Sequence, residues 1–168
     1  MSAITLGLIA AFSWAFHDIC VRRVSQKTPL MAALLTVLIV ALAFQLSMMG
    51  VTGTFAPIDP KTVWIAVLSG ALFLMASLGL YGAFQRGPVR LVAPIIASYP
   101  VLSVIWAVMR GVQISSFQWA AVLVIIVGVS LVAALADHGR EETPAKGPTI
   151  LLSIMAAVGF AGTFALGH

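Results

Sequence analysis

Apolar residues in this chain do not alternate with polar ones, nor do they keep to one face at helical spacing. They run on in long blocks, with the polar positions gathered between them. Six such blocks stand out: Ala3 to Val21, Leu30 to Met49, Val63 to Phe84, Val89 to Met109, Phe117 to Ala136 and Thr149 to Gly167. A hydrocarbon core about 30 Å thick takes about 20 helical residues at a rise of about 1.5 Å each, so every block predicts one membrane-crossing helix. The expected fold class is all-α, a polytopic integral membrane protein of about six transmembrane helices. The connections are short except for Asp137 to Pro148, whose charges, glycines and prolines mark a solvated linker.

The stretch from Tyr81 to Pro100 breaks the monotony. Gly87 permits a sharp turn and Pro88 suits a first helical position, so the third and fourth blocks form a helical hairpin. Pro94 and Pro100 then fall in the first half of the fourth block. There they leave the carbonyls of Arg90 and Ile96 without intrahelical donors. Inside a bilayer such groups persist only where other helices, hydroxyls or water satisfy them, which points to a cavity.

Composition supports the membrane reading: 61% of residues are hydrophobic and 8% charged, against about a quarter charged in soluble domains. The net charge of +4 does not imply nucleic acid, because the Lys and Arg residues sit singly or in pairs at block ends, as membrane-flanking cations do. Counted by loop, Lys61 and Arg110 fall on one side and the other cations opposite, which places the N-terminus outside the cytoplasm. Met1 to Cys20 lacks a basic leader and reads as a retained span rather than a signal peptide. The single cysteine, Cys20, excludes an intrachain disulfide, and His17, His138 and His168 are too dispersed for a metal site. No hydrolase, zinc-protease or phosphate-loop motif occurs, so neither an enzyme nor a cofactor is expected.

After the linker the opening pattern partly returns. Ala10-Ala11-Phe12-Ser13-Trp14-Ala15 sits over Ala156-Ala157-Val158-Gly159-Phe160-Ala161 at one constant offset. Five spans followed by the start of a second copy would place that copy upside down, the inverted-repeat arrangement of many carriers. The organisation expected is a five-helix repeat over 3–136, a polar linker over 137–148, and over 149–168 the first helix of a second, truncated repeat.

The chain resembles the drug/metabolite transporter superfamily, specifically its EamA-type repeat. The resemblance rests on Tyr81-Gly82-Ala83-Phe84-Gln85-Arg86-Gly87-Pro88, then Ala93-Pro94 and Tyr99-Pro100. It continues from Gly111 through Ile114-Ser115 to Gln118-Trp119 and Gly128-Val129, with Trp14-Ala15 in the first span. Val112 stands where the family usually has an acidic residue, and His17 where it often has asparagine. The resemblance implies a ten-span carrier of two repeats that moves small metabolites or drugs by alternating access, and a cytoplasmic N-terminus, opposite to the charge count. The expected setting is a bacterial inner membrane, with lipid bilayer and a small-molecule substrate as partners and either a second copy or a missing second repeat completing the carrier. The alternative function is a non-transporting assembly partner or the remnant of a carrier.

The cavity candidates are Trp14, His17, Asp18, Ser77, Tyr81, Gln85, Tyr99 and Ser103, with Gly87, Pro88, Pro94 and Pro100 shaping the backbone. His17 and Asp18 are ionisable groups inside an apolar run, and such groups usually face a cavity or a partner. Trp14 shares their helical face, giving a proton or amine site with an aromatic wall. The competing reading pairs Asp18 with Arg22 one turn on. Tyr99, Ser103, Trp106 and Arg110 form one stripe, of which Tyr99 and Ser103 are expected to line the cavity and Trp106 and Arg110 to anchor the helix at the membrane edge. Ala66 and Gly70 form a small-residue pair expected to pack closely on another helix.

Overall fold

The structure, a computed structural model, describes residues 3–53, 58–135 and 146–166. Their elements are helices: α1 (Ala3–Ser25), α2 (Leu30–Thr52), α3 (Pro60–Arg86), α4 (Val89–Ile96), α5 (Tyr99–Met109), α6 (Ser116–Leu135) and α7 (Lys146–Leu166). The residues at their ends explain where they start and stop. Pro29 precedes α2, and Gly53 closes it at a φ of 63°, its N–H donating to the Met49 carbonyl at 2.9 Å.

Asp59 caps α3, with Pro60 in the first helical position. Its Oδ1 accepts from the Thr62 N–H at 2.7 Å and its Oδ2 from the Thr62 hydroxyl at 2.9 Å. These bonds, the backbone one foremost, hold the Asp59 carboxyl below the ordinary carboxylate range. Ahead of α6, Ser115 and Gln118 form a reciprocal capping box. The Ser115 N–H donates to Gln118 Oε1 at 2.8 Å, and the Gln118 N–H donates to Ser115 Oγ at 3.3 Å. The Ile114-Ser115-to-Gln118 signature thus has a plain physical function: it starts a helix.

The chain is a polytopic all-α membrane protein. Helices α2, α3 and α7 and the stretch Val89–Met109 are each long and apolar enough to cross a bilayer. The apolar part of α6, Ser116–Leu131, is shorter, and α1 carries Asp18, Arg22 and Arg23 within its 23 residues. Large apolar side chains such as Leu42, Phe44, Trp64 and Val124 lie exposed on the outside of the bundle, the surface a lipid environment covers.

The fourth span is not the single helix expected. It breaks into α4 and α5 at Ala97 and Ser98, where the Ser98 hydroxyl donates to the Ile95 carbonyl at 2.6 Å. Pro94 lies inside α4, but Pro100 falls in the first turn of α5, where an N–H has no helical partner to lose. The break therefore absorbs the second proline instead of leaving it mid-helix.

Helix α7 runs through the centre of the bundle, lying along α3 and also touching α4 and α5. The contact is close because both faces are built of small residues. A Cβ on Gly79 would stand 2.6 Å from the Leu152 carbonyl oxygen, and one on Gly159 2.8 Å from the Ala76 Cβ. Ala76, Ala83, Ser153 and Ala156 are buried in the same seam. Ala66 and Gly70, the pair expected to pack, instead face outward, and a Cβ on Gly70 would meet nothing within 4 Å. The tight seam lies further along α3, because α7 approaches it there. Most of the expected linker, residues 137–145, with His138, lies outside the described residues, as does His168. Lys146, Gly147 and Pro148, expected in the linker, already belong to α7.

Candidate functional site

Where α1, the α4–α5 break and α7 face one another, they border a partly open cavity of about 460 Å³. Its walls are Gly7, Ala10, Ala11, Trp14 and Asp18 of α1, Leu80 of α3, Ile96, Ala97 and Tyr99 at the break, and Phe160 and Phe164 of α7. The small residues of α1 make the room. An unbroken fourth helix would run past this space, whereas the turn at Ala97 and Ser98 brings Ile96, Ala97 and Tyr99 to its wall.

Aromatic rings organise the wall. The Trp14 and Phe160 rings meet edge to face at 5.7 Å, Tyr99 stacks on Phe164 at 5.5 Å with 16° between the planes, and Phe73 stands edge-on to Phe160 at 5.8 Å. Asp18 is the acidic group among these walls. Aromatic rings beside a carboxylate favour a cationic or polar-headed solute with an apolar body.

A second, smaller cavity of about 30 Å³ lies on the other side of Trp14, Leu80 and Phe160. His17, Ser77 and Tyr81 line it, with Leu34, Val37 and Leu38 of α2 and Phe73. His17 Nδ1 lies 3.3 Å from Asp18 Oδ1, so the two candidate ionisable groups touch each other while bordering different spaces.

The expected Asp18–Arg22 pair does not form. Arg22 reaches across to the end of α3, where its Nη1 donates to the Phe84 carbonyl and, at 3.0 Å, to the Gly87 carbonyl. Gln26, with its amide oxygen toward the guanidinium, accepts from Nη1 at 3.0 Å and Nη2 at 2.8 Å. Carbonyls at a helix C-terminus carry partial negative charge and lack intrahelical donors, so they compete successfully with a carboxylate on Arg22's own helix. Gly87 belongs to the same latch: a Cβ there would collide with Thr149 Cγ2 of α7.

The remaining candidates are dispersed. Ser77 and Ser103 spend their hydroxyls on the Phe73 and Tyr99 carbonyls of their own helices, at 2.8 and 3.0 Å. Ser103 lines neither cavity above; with Trp106, Arg110, Gln118 and Phe164 it borders a groove of about 600 Å³. Tyr99 and Ser103 stay one turn apart on the same helix, but the larger cavity reaches only Tyr99, and Ser103 borders the neighbouring groove, with Phe164 lining both. Gln85 is exposed and borders none of these three spaces. Among the described residues, no three of His, Cys, Asp and Glu come together as a metal site would require. Phe160 and Phe164, which wall the larger cavity, were missed as site residues, although the repeat register already set Phe160 over Trp14.

The sequence profile of the EamA-like transporter family matches residues 1–134. A protein of Archaeoglobus fulgidus described as an uncharacterized transporter is 25% identical over 144 residues, which cover 84% of this chain and 52% of the relative. The chain thus spans about half the length of the curated relative it matches. No solved structure matches it.

Proposed function

We propose that this chain, which belongs to the EamA-like transporter family, works in a carrier that moves small metabolites or drugs across a membrane by alternating access, driven by an ion or solute gradient. The observation that carries the reading is the 460 Å³ cavity in an otherwise apolar bundle, within the range of about 300–1,000 Å³ typical of small-molecule sites. In this reading Asp18 attracts the polar or cationic part of the solute. Trp14, Tyr99, Phe160 and Phe164 hold its apolar body, and the α4–α5 break lets the wall move without unravelling a whole span.

The lipid bilayer, a small-molecule substrate and either a second copy of the chain or a second repeat are the partners this mechanism needs. A bacterial inner membrane is the setting we assign. Family membership also favours transport over catalysis.

Flux in proteoliposomes tests the proposal. A panel of small amines, amino-acid-like compounds and aromatic cations is offered to the wild-type chain and to Asp18→Asn and Trp14→Ala. Accumulation of at least one compound, lost in both variants, supports the reading. A chain that moves none of them, alone or with a second repeat supplied, supports the rival reading of a non-transporting assembly partner.

A further inference from the structure

Trp14, Leu80 and Phe160 line both cavities and so form the partition between them. Asp18 and Tyr99 border only the larger space; His17, Ser77 and Tyr81 border only the smaller one. The polar connection at the partition is the 3.3 Å contact between His17 Nδ1 and Asp18 Oδ1. A space of about 30 Å³ has room for one or two waters and for no metabolite.

We propose that the His17–Asp18 pair is a proton-binding and proton-transfer site that joins the small cavity to the large one, past an aromatic partition that solutes do not cross. The proton site stands on this geometry. Its coupling to solute movement rests on the preceding assignment of the larger cavity.

The transfer balances simply. Neutral His17 takes a proton from water in the small cavity and becomes imidazolium; the Nδ1 proton passes to Asp18 Oδ1; the resulting carboxylic acid releases it to water in the large cavity. The pair is again a neutral imidazole and a carboxylate, one proton having crossed, and the ring is reset when water returns its remaining N–H from Nε2 to Nδ1. An imidazole is suited to this because its intrinsic affinity for protons lies near neutrality.

The other groups around the pair leave the role to it. From α3 come Tyr81 and Ser77, the latter bonded to Phe73, and from α5 comes Tyr99. Arg22, on the same helix, is held by α3 carbonyls. The residues that α2, α4 and α7 contribute to these two walls are not ionisable.

Trp14 provides a reporter, since its ring stands edge-on to His17 at 5.2 Å and an imidazolium so placed alters its emission. With Trp64, Trp106 and Trp119 replaced by Phe, Trp14 emission in lipid nanodiscs is titrated. We expect the emission to respond to pH in one transition that is absent in His17→Gln. If the triple substitution does not fold, carbon-13 histidine NMR, assigned through His17→Gln, reads the same transition.

Proton entry driven by a potassium diffusion potential, followed by a dye inside proteoliposomes, tests transfer. His17→Gln and Asp18→Asn should each lose most of it, and Ser47→Ala on α2 should retain it. Emission that does not respond to pH, a response that survives His17→Gln, or proton entry that survives both substitutions overturns the site. Solute flux indifferent to His17→Gln would overturn coupling alone, whereas proton entry without flux of any solute would sink the carrier reading and leave the proton site standing.

Discussion

Trp14 on α1 and Phe160 on α7, which fall together when Ala10–Ala15 is aligned on Ala156–Ala161, meet ring edge to face at 5.7 Å. The contact does two jobs. It seats α7 against α1 at the level of the cavity, and it closes the partition between the two spaces. Phe160→Ala should merge those spaces and lower stability by about 3 kcal/mol, the cost of emptying a buried aromatic site. Denaturant unfolding in micelles reads the loss, and a red shift of Trp14 emission in the single-tryptophan background reads the water that enters. Unchanged stability and emission would show that the rings do not form the partition.

The α3–α7 seam sets two glycines of α3 against each other. Gly79→Ala forces a methyl toward the Leu152 carbonyl and the Ala156 amide, backbone atoms that cannot step aside, and should cost about 1–3 kcal/mol. Gly70→Ala meets open space and should gain up to about 1 kcal/mol from helix propensity. Thermal unfolding of the two variants side by side checks the pair, and equal shifts would contradict the seam.

Arg22 serves the end of α3 rather than Asp18. Arg22→Ala should lower stability by about 2–3 kcal/mol, the loss of hydrogen bonds from a charged donor to carbonyls left otherwise unsatisfied. Arg22→Lys should recover only part of it, since an ammonium lacks the fork that spans two carbonyls and Gln26. A double-mutant cycle between Arg22 and Asp18 should give a coupling near zero, below the roughly 0.3–0.5 kcal/mol of a formed i,i+4 pair. A larger value would restore the ion pair that i,i+4 spacing suggests.

How much of this was legible in the sequence depends on how local the cause is. Apolar length gave the spans, and Gly87-Pro88 gave the hairpin, because both are decided within a few residues. The Arg22 pairing was misread because spacing on one helix says nothing of carbonyls arriving from another. The expectation for Ala66 and Gly70 fails for a related reason: small-residue spacing identifies a face that permits close approach, but not the level at which a partner arrives. Trp14, Asp18 and Tyr99 do share one cavity. Ser103, one turn further along α5, borders the neighbouring groove, and Gln85, near the end of α3, is exposed: helical spacing identifies a shared face but not how far along it a cavity extends. Phe160 was the signal available and unread, aligned with Trp14 in the repeat.

The Asp59 cap carries a pH dependence with a definite sign. Its carboxyl is held below its ordinary range in the fold by the Thr62 N–H and hydroxyl, so the stabilisation is fully present above the unfolded carboxylate value. It is lost as pH falls through the lower, folded value. Comparing wild type with Asp59→Ala, the stability difference should hold constant at neutral pH and shrink in acid. A difference that grows in acid would have the wrong sign for this cap.

The account depends most on water reaching a space between apolar helices. With Cys20 replaced by Ser, single cysteines at Ala11 in the cavity wall and Leu42 on the exposed face of α2 are treated with a small water-soluble thiol reagent in intact proteoliposomes. Only a hydrated thiol ionises readily, so Ala11→Cys should react at least about tenfold faster than Leu42→Cys. Equal, slow reaction at both positions would mean a dry bundle and would contradict a solute site at Asp18, Trp14 and Tyr99.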